Sequence, residues 1–394
     1  MKSFEYCCPT EIIFGKDAEL KAGKKIKACG ASKVLVVYGG GSVKRNGLLD
    51  RIGTNLTTAG LQYITLGGVK PNPVVSFVRD GIKLALREKV DFILAVGGGS
   101  VIDTAKALAH GVANSEYDIW DDIWQKKIEI HKTTPLASVL TLAAAGSETS
   151  DSAVLTNEET GQKRGLSMVL NRPRMAFMNP ELTYSAPKFQ VACGIGDILM
   201  HTLERYFSKD KDNYMTDFIA EGLLKNVIAF SHDALEKEND YLSRSDIMYC
   251  GSLSHCDLTG LGRQKDFSVH KLGHELSGKF DVTHGASLTT MWASWARYSY
   301  KTDIARFARL ANVLWQIDEK DAETAALKGI DKMEEYFHSI GLPTCFSELG
   351  IGVQDEKNIS YLADMCTDGG SKTVGSFKPI AKQDAINMYK MANH

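Results

Sequence analysis

"VDFILAVGGGSVIDTAKALAHGVA", residues 90–113, runs a buried-type strand into three glycines and then directly into a helical stretch. Gly97, Gly98, Gly99 and Ser100 occupy the turn. Glycines there let the backbone approach a pyrophosphate, and the amides and dipole of a helix N-terminus attract its charge. The spacing is not the G-x-G-x-x-G of the Rossmann fingerprint, and a tight strand-to-helix turn would use the same residues. Asp103, in the first helical turn, also complements the dipole.

The same alternation extends on both sides. "KVLVVYG" (33–39) and "LQYITLGG" (61–68) are strand-like, and "VVSFVRDGIKLALREK" (74–89) has helical periodicity. A further apolar run, "PLASVLTLAAAGSETS" (135–150), ends in small residues. Strands alternating with helices at this spacing imply βαβ units on a parallel sheet. A second glycine turn, Gly39, Gly40, Gly41 and Ser42, closes the earlier strand. Two such turns on consecutive units suit the two ends of a dinucleotide. An acidic residue near the first strand commonly holds the NAD ribose, whereas a cation suits the 2′-phosphate of NADP. Here Ser42, Lys44 and Arg45 follow the glycines with no acid, which favours NADP(H) over NAD(H). Solvated surface cations are the other reading of Lys44 and Arg45.

From Pro187 onward β-rich runs give way to helical patterns. We expect an α/β dinucleotide-binding domain over 1–186 and an all-helical, metal-binding and catalytic domain over 187–394. "GIGDILMHTLERY" (194–206) carries an apolar stripe at Ile195, Ile198, Leu199, Leu203 and Tyr206, with Asp197 and His201 one turn apart on the other side. "SVHKLGHELSG" (268–278) presents His270 and His274 in the same i,i+4 relation, and "DVTHGAS" (281–287) adds His284 beside a glycine. One carboxylate oxygen and three imidazoles, from Asp197, His201, His270 and His284, suit one divalent ion, Fe²⁺ or Zn²⁺, with positions left for substrate. The spacing is not that of a zincin. The polar faces are expected to turn toward an interdomain cleft.

The bulk numbers narrow the class. The chain has 394 residues, 46 Lys+Arg against 48 Asp+Glu and a formal charge of −2, so neither nucleic acid nor an anionic membrane is an expected partner. No apolar run of membrane-spanning length and no secretory leader pattern occurs. The eight cysteines lack any C-x-x-C spacing, as in a reducing compartment, hence the cytoplasm.

These residues resemble the iron-containing (group III) alcohol dehydrogenases, in particular their butanol dehydrogenase and NADPH-dependent aldehyde reductase branch. The likeness runs nearly end to end through "EIIFGKDAE", "YGGGSVKRNG", "PNP" (71–73), "AVGGGSVID", "LTLAAAGSETS", "MNPELTY", "GIGDILMHTLE", "HKLGHELS" and "THGASL". It implies metal ligation by Asp197, His201, His270 and His284, with His274 near the nicotinamide and not on the metal. It implies pyrophosphate contacts at Gly98, Gly99 and Ser100. Further cofactor contacts fall at Asp103, Thr141, Leu142, Ser147, Lys163 and Leu182. The 2′-phosphate site of the NADP-using branch matches Gly39, Gly40, Gly41, Ser42 and Lys44. One departure stands out: Ala145 replaces the threonine of the family's Gly-Thr-Gly-Ser run, removing a hydroxyl near the cofactor.

The activity implied is hydride transfer between a nicotinamide and a short- to medium-chain primary alcohol or aldehyde, by a homodimer. A positioned base contributes about 10²–10⁴-fold, whereas a metal lowers the pKa of bound water from 15.7 to about 7, so the metal is the expected main activator. His274 is the candidate proton relay. Trp120, Phe267 and Trp292 are candidate pocket aromatics. A glycerol dehydrogenase or dehydroquinate synthase relative, and a non-catalytic nucleotide or metal sensor, are the competing readings.

Overall fold

The computed structural model describes residues 1–394. They form two compact units, Cys7–Ala186 and Pro187–His394, the latter joined by Met1–Tyr6. Lys2 N–H donates to Gly262 O, which ties the first residues to the helical unit.

The α/β unit contains β1 (Glu11–Phe14), α1 (Ala22–Ala28), β2 (Lys33–Tyr38), α2 (Ser42–Arg45), α3 (Leu48–Thr58), β3 (Gln62–Gly67), α4 (Val75–Arg87), β4 (Phe92–Gly97), α5 (Gly99–Ala113), β5 (Leu136–Leu140), β6 (Ser152–Asn157), β7 (Gln162–Ser167) and β8 (Met175–Met178). The expected parallel sheet is present, with strand order β1-β8-β5-β4-β2-β3. β2 and β4 are buried along almost their whole length, as strands covered on both faces must be. Val34, Val36, Phe92, Leu94 and Val96 face Ile26, Ile52 and Leu56 of α1 and α3 in one core. Leu35, Val37, Ile93 and Ala95, on the other face by strand alternation, are fully buried too. β6 and β7 form a separate antiparallel hairpin.

The chain leaves β2 for the edge strand β3, then returns to place β4 on β2's other side. In that register Tyr38 sits opposite Val96, so the turns at Gly39 and Gly97 open side by side at the sheet's carboxyl edge. This is the topological switch point at which open α/β sheets bind ligands.

The helical unit follows as α6 (Lys188–Tyr206), α7 (Tyr214–Glu236), α8 (Tyr241–His255), α9 (Ser268–Phe280), α10 (His284–Ser299), α11 (Ile304–Trp315), α12 (Ala322–Ser339), α13 (Glu356–Thr367) and α14 (Lys382–Ala392). α6 packs against α7, α8, α9 and α10. Every residue from Val191 to Tyr206 is buried, so the two-faced reading of this helix is corrected: its polar residues are enclosed by neighbouring helices. At its far end, Arg306 Nε donates to Tyr206 O at 2.7 Å, satisfying a carbonyl of the last turn. No helix is long and apolar enough to cross a membrane.

One buried histidine makes the α/β unit acid-sensitive. His110 on α5 has no exposed surface, and its Nε2 lies 2.7 Å from Asn171 Oδ1. Asn171 Nδ2 donates to Asp151 O and Leu166 O, so its oxygen accepts and His110 Nε2–H donates. Burial pushes the His110 pKa down to about 4. Between about pH 6.5 and pH 4 the unfolded chain binds a proton that the folded one does not, so stability falls as pH falls through that window. We expect His110→Gln to reduce the loss of unfolding free energy between pH 7 and pH 4.5 by about 2–3 kcal/mol, read from urea denaturation at the two pH values.

Candidate metal centre and nucleotide cradle

Asp197 and His201 stand one turn apart on α6, His270 lies in the first turn of α9, and His284 opens α10. Small residues bring these helices together. A Cβ on Gly285 would lie 2.0 Å from Cys193 O of α6, and one on Gly273 would lie 3.1 Å from Ser287 Oγ of α10. α10 therefore crosses α6 in backbone contact, immediately next to His284.

The Nε2 atoms of His201, His270 and His284 lie 3.4, 3.8 and 3.8 Å from Asp197 Oδ1. Those of His201 and His270 are 3.3 Å apart. Bonds of about 2.0–2.2 Å to a tetrahedral ion put its ligands about 3.4 Å from one another, so this donor set fits a divalent metal in spacing as well as chemistry. Asp197, His201 and His270 are nearly inaccessible, whereas the His284 side chain keeps 28% of its surface. The open side of the cluster is thus at His284.

The surrounding side chains orient the rings. Glu204, one turn beyond His201 and fully buried, accepts from His270 Nδ1 and from His270 N–H at 3.1 Å. Burial pushes the Glu204 carboxyl up to about 8, opposed by the amides of His270 and Val269. Burial first, then the electrostatic influence of His255, His270, Arg205 and His284, holds His201 well below the usual histidine range, which favours a neutral imidazole. The His255 ring stacks on it at 4.0 Å. Phe267, with φ 61, packs edge-on against His201 and His270. His274 stands 5.2 Å from His284, ring to ring. Of the three candidate aromatics, Phe267 borders this cluster, while Trp292 is buried against Phe337 and Trp120 is buried in the α/β unit.

In the α/β unit, Gly98 caps α5 in extended conformation without a side-chain cap, leaving the turn to backbone amides. A Cβ on Gly40 or Gly99 would meet nothing within 4 Å, so the backbone there borders open space, while Gly98 packs on Leu142. Ser42 opens α2, after Gly41 at φ 116, and Lys44 Nζ lies 5.1 Å from the Tyr38 ring centroid. Thr141 N–H donates to Gly97 O. Lys163 Nζ donates to Asn72 Oδ1 at 2.9 Å. Asp103 and Ser147 face one another: Ser147 Oγ–H donates to Asp103 Oδ1 at 2.6 Å and accepts from the buried Lys106 at 3.0 Å. Val154 N–H donates to the other Asp103 oxygen. Leu182 belongs to the hydrophobic core with Phe177. Asp103, Ser147 and Leu182 thus have internal partners besides any cofactor.

A sequence model of the iron-containing alcohol dehydrogenases matches residues 9–180, and one of the C-terminal part of the Fe-containing alcohol dehydrogenase family matches 190–393. The chain belongs to the iron-containing alcohol dehydrogenases. It is 38% identical over 392 residues to NADH-dependent butanol dehydrogenase A of Clostridium acetobutylicum, covering 99% of each chain. It is 32% identical over 393 residues to the NADPH-dependent aldehyde reductase YqhD of Escherichia coli, covering 100% of each. The crystal structure of NADH-dependent butanol dehydrogenase A from Thermotoga maritima is similar with a TM-score of 0.94 at 32% identity, over 100% of this chain and 99% of that one. This iron-containing alcohol dehydrogenase is an oxidoreductase of alcohols and aldehydes, and its family implies a divalent metal and a nicotinamide cofactor.

Residues that sequence reasoning missed here are Glu204, Arg205 and His255. Glu204 was accessible to it, because it shares the i+3 and i+7 face of His201 and Asp197. We expect Gly285→Ala to destabilise the chain by about 1–3 kcal/mol, because the added methyl overlaps backbone that cannot rotate away. Thermal denaturation measures the loss, and metal analysis of the same protein should show less bound ion, since His284 shifts with α10.

Proposed function

We propose that this chain reduces short- to medium-chain aldehydes such as butyraldehyde to primary alcohols with NADP(H), and runs the reverse oxidation. Its divalent ion, Fe²⁺ or Zn²⁺, would be held by Asp197, His201, His270 and His284. The observation that carries this reading is the convergence of three Nε2 atoms on Asp197 Oδ1. An ion there supplies Lewis acidity that polarises the substrate oxygen and stabilises the negative charge gained as hydride arrives. One carboxylate with three neutral imidazoles leaves an ion's second positive charge uncompensated, which favours an anionic oxygen. Burial of Asp197, His201 and His270 keeps water from competing at that side of the centre. Glu204 holds His270 with Nε2 turned inward. His274, beside the more open His284, moves the proton that the alcohol oxygen gains or loses. In this reading residues 1–186 bind the dinucleotide and 187–394 carry the chemistry.

The cofactor assignment is supported by the loop after β2, which offers Ser42, Lys44 and Arg45 and no carboxylate. Gly98, Gly99 and Ser100 would take the pyrophosphate at the N-terminus of α5. Relatives named for NADH and for NADPH both align along nearly the full chain, so the preference must be measured. The reading also includes a homodimer, checked by light scattering for twice the 43.2 kDa chain mass, and a cytoplasmic setting, which eight free cysteines suit.

Two experiments test it. With metal-loaded protein and an aldehyde panel, kcat/KM for NADPH should exceed that for NADH, and Lys44→Ala should lower the NADPH value about tenfold while sparing NADH; preference for NADH removes the role given to Ser42 and Lys44. Replacing His274 by Gln should lower kcat by about 10²–10⁴-fold with unchanged metal content. Loss of metal in that variant would make His274 a ligand instead.

A further inference from the structure

Consecutive residues near the end of α6 reach two different imidazoles of the cluster, and their chemistry is opposite. Glu204 Oε2 faces His270 Nδ1. Arg205 Nη1 lies 3.1 Å from His201 Nδ1 and 2.7 Å from His201 O. Both residues are 1% exposed, so water does not mediate either contact. A carboxylate only accepts and a guanidinium only donates. With Glu204 ionised, as a bound cation would favour, His270 carries its hydrogen on Nδ1, leaving the Nε2 lone pair for that ion. His201 Nδ1 must accept from Arg205, and a neutral ring so engaged carries its hydrogen on Nε2, the nitrogen that faces Asp197. To ligate through Nε2, His201 has to exchange that arrangement for one with Nδ1–H against a donor-only group. The guanidinium charge, buried one residue shell from the centre, also opposes a divalent cation. Arg205 is confined where it is, with Nη2 3.8 Å from Asp257 Oδ1 and its plane 4.9 Å from the Phe267 ring centroid.

We propose that Arg205 is a positioning residue that weakens the hold of His201 on the ion, so that the centre releases its metal faster than its four donors alone would dictate. The inference rests on the metal-centre reading above. Ligating imidazoles ordinarily present their outer N–H to an acceptor, and changing such a partner alters metal affinity by about 10–100-fold. Here the partner has the wrong polarity, so replacing it should strengthen binding.

The test is the rate at which the Zn²⁺-loaded full chain gives up its ion to an excess of a chromophoric chelator. Arg205→Gln is neutral, and its amide can both donate to His201 O and accept from Nδ1–H. Release from R205Q should be about tenfold slower than from the wild type, while R205K, which keeps the charge, should stay near the wild-type rate. Release from R205Q at or above the wild-type rate, with a melting temperature close to wild type, overturns the proposal. Should R205Q fail to fold, histidine ¹⁵N NMR of the metal-free wild-type chain decides. Hydrogen on Nε2 of His201 supports the proposal, and hydrogen on Nδ1 overturns it. A wild-type chain that takes up no stoichiometric Zn²⁺ defeats the metal-centre reading, and this inference with it, and that outcome is distinct from a wild type that loads normally and an R205Q that releases no more slowly.

Discussion

Three imidazole nitrogens gathered within 4 Å of a buried carboxylate oxygen is an arrangement that a protein interior disfavours on its own. Asp197 is removed from water while three imidazole Nε2 atoms crowd its Oδ1. A divalent cation would offset that cost by placing positive charge where the four side chains converge. The helical unit can be understood as the scaffold that enforces this convergence. α6 is enclosed on all sides, α10 crosses it with backbone touching backbone at Gly285, and α9 delivers His270 to the same point while Glu204 fixes that ring. Each device leaves the donors little freedom to turn outward.

The α/β unit solves a different problem with different means. The nucleotide cradle proposed for it would be made of backbone, bordered by open space at Gly40 and Gly99 and set at the switch point between β2 and β4. The polar groups behind the cradle are joined to each other. Lys106, buried and lowered to about 8 by desolvation, donates to Ser147 Oγ, Ser150 O and Ser152 O, and Ser147 in turn donates to Asp103. That network joins α5 to the loop carrying Ala145. The hydroxyl missing at Ala145 is therefore absent from a loop that is already held by other bonds.

The legible parts of this chain were those whose signal is local. Strands β2 and β4 announce themselves by continuous burial, and α3 stops before Gly60, whose φ of 72 suits glycine. The hairpin of β6 and β7 escaped notice because "QKRGLS" is polar and half exposed, with little apolar alternation to mark it. The stretch 194–206 was readable as helical but not as buried, because its enclosure depends on α7, α8, α9 and α10, none of which can be inferred from its own periodicity. The histidine pairs were visible as i,i+4 spacings. Arg205 and His255 carried no such mark: a partner 54 residues from His201 is chosen by how α8 packs, and an arginine next to a glutamate at a helix end ordinarily reads as a solvated pair.

Relatives named for NADH and for NADPH share this chain from end to end, and the fold of one NADH-named enzyme is reproduced almost completely. The scaffold therefore cannot be what selects the cofactor. A 2′-phosphate differs from a 2′-hydroxyl by charge and size at one end of the dinucleotide, so discrimination has to reside in the few groups that meet that end. On the proposed reading those groups follow β2, where Lys44 lies against the Tyr38 ring and is thereby kept near the strand end. A cation so placed favours a phosphate without excluding a hydroxyl, whereas a carboxylate would exclude the phosphate by repulsion. If the proposed cofactor site holds, the loop would admit both cofactors and weight them by how completely Lys44 is desolvated when the phosphate arrives.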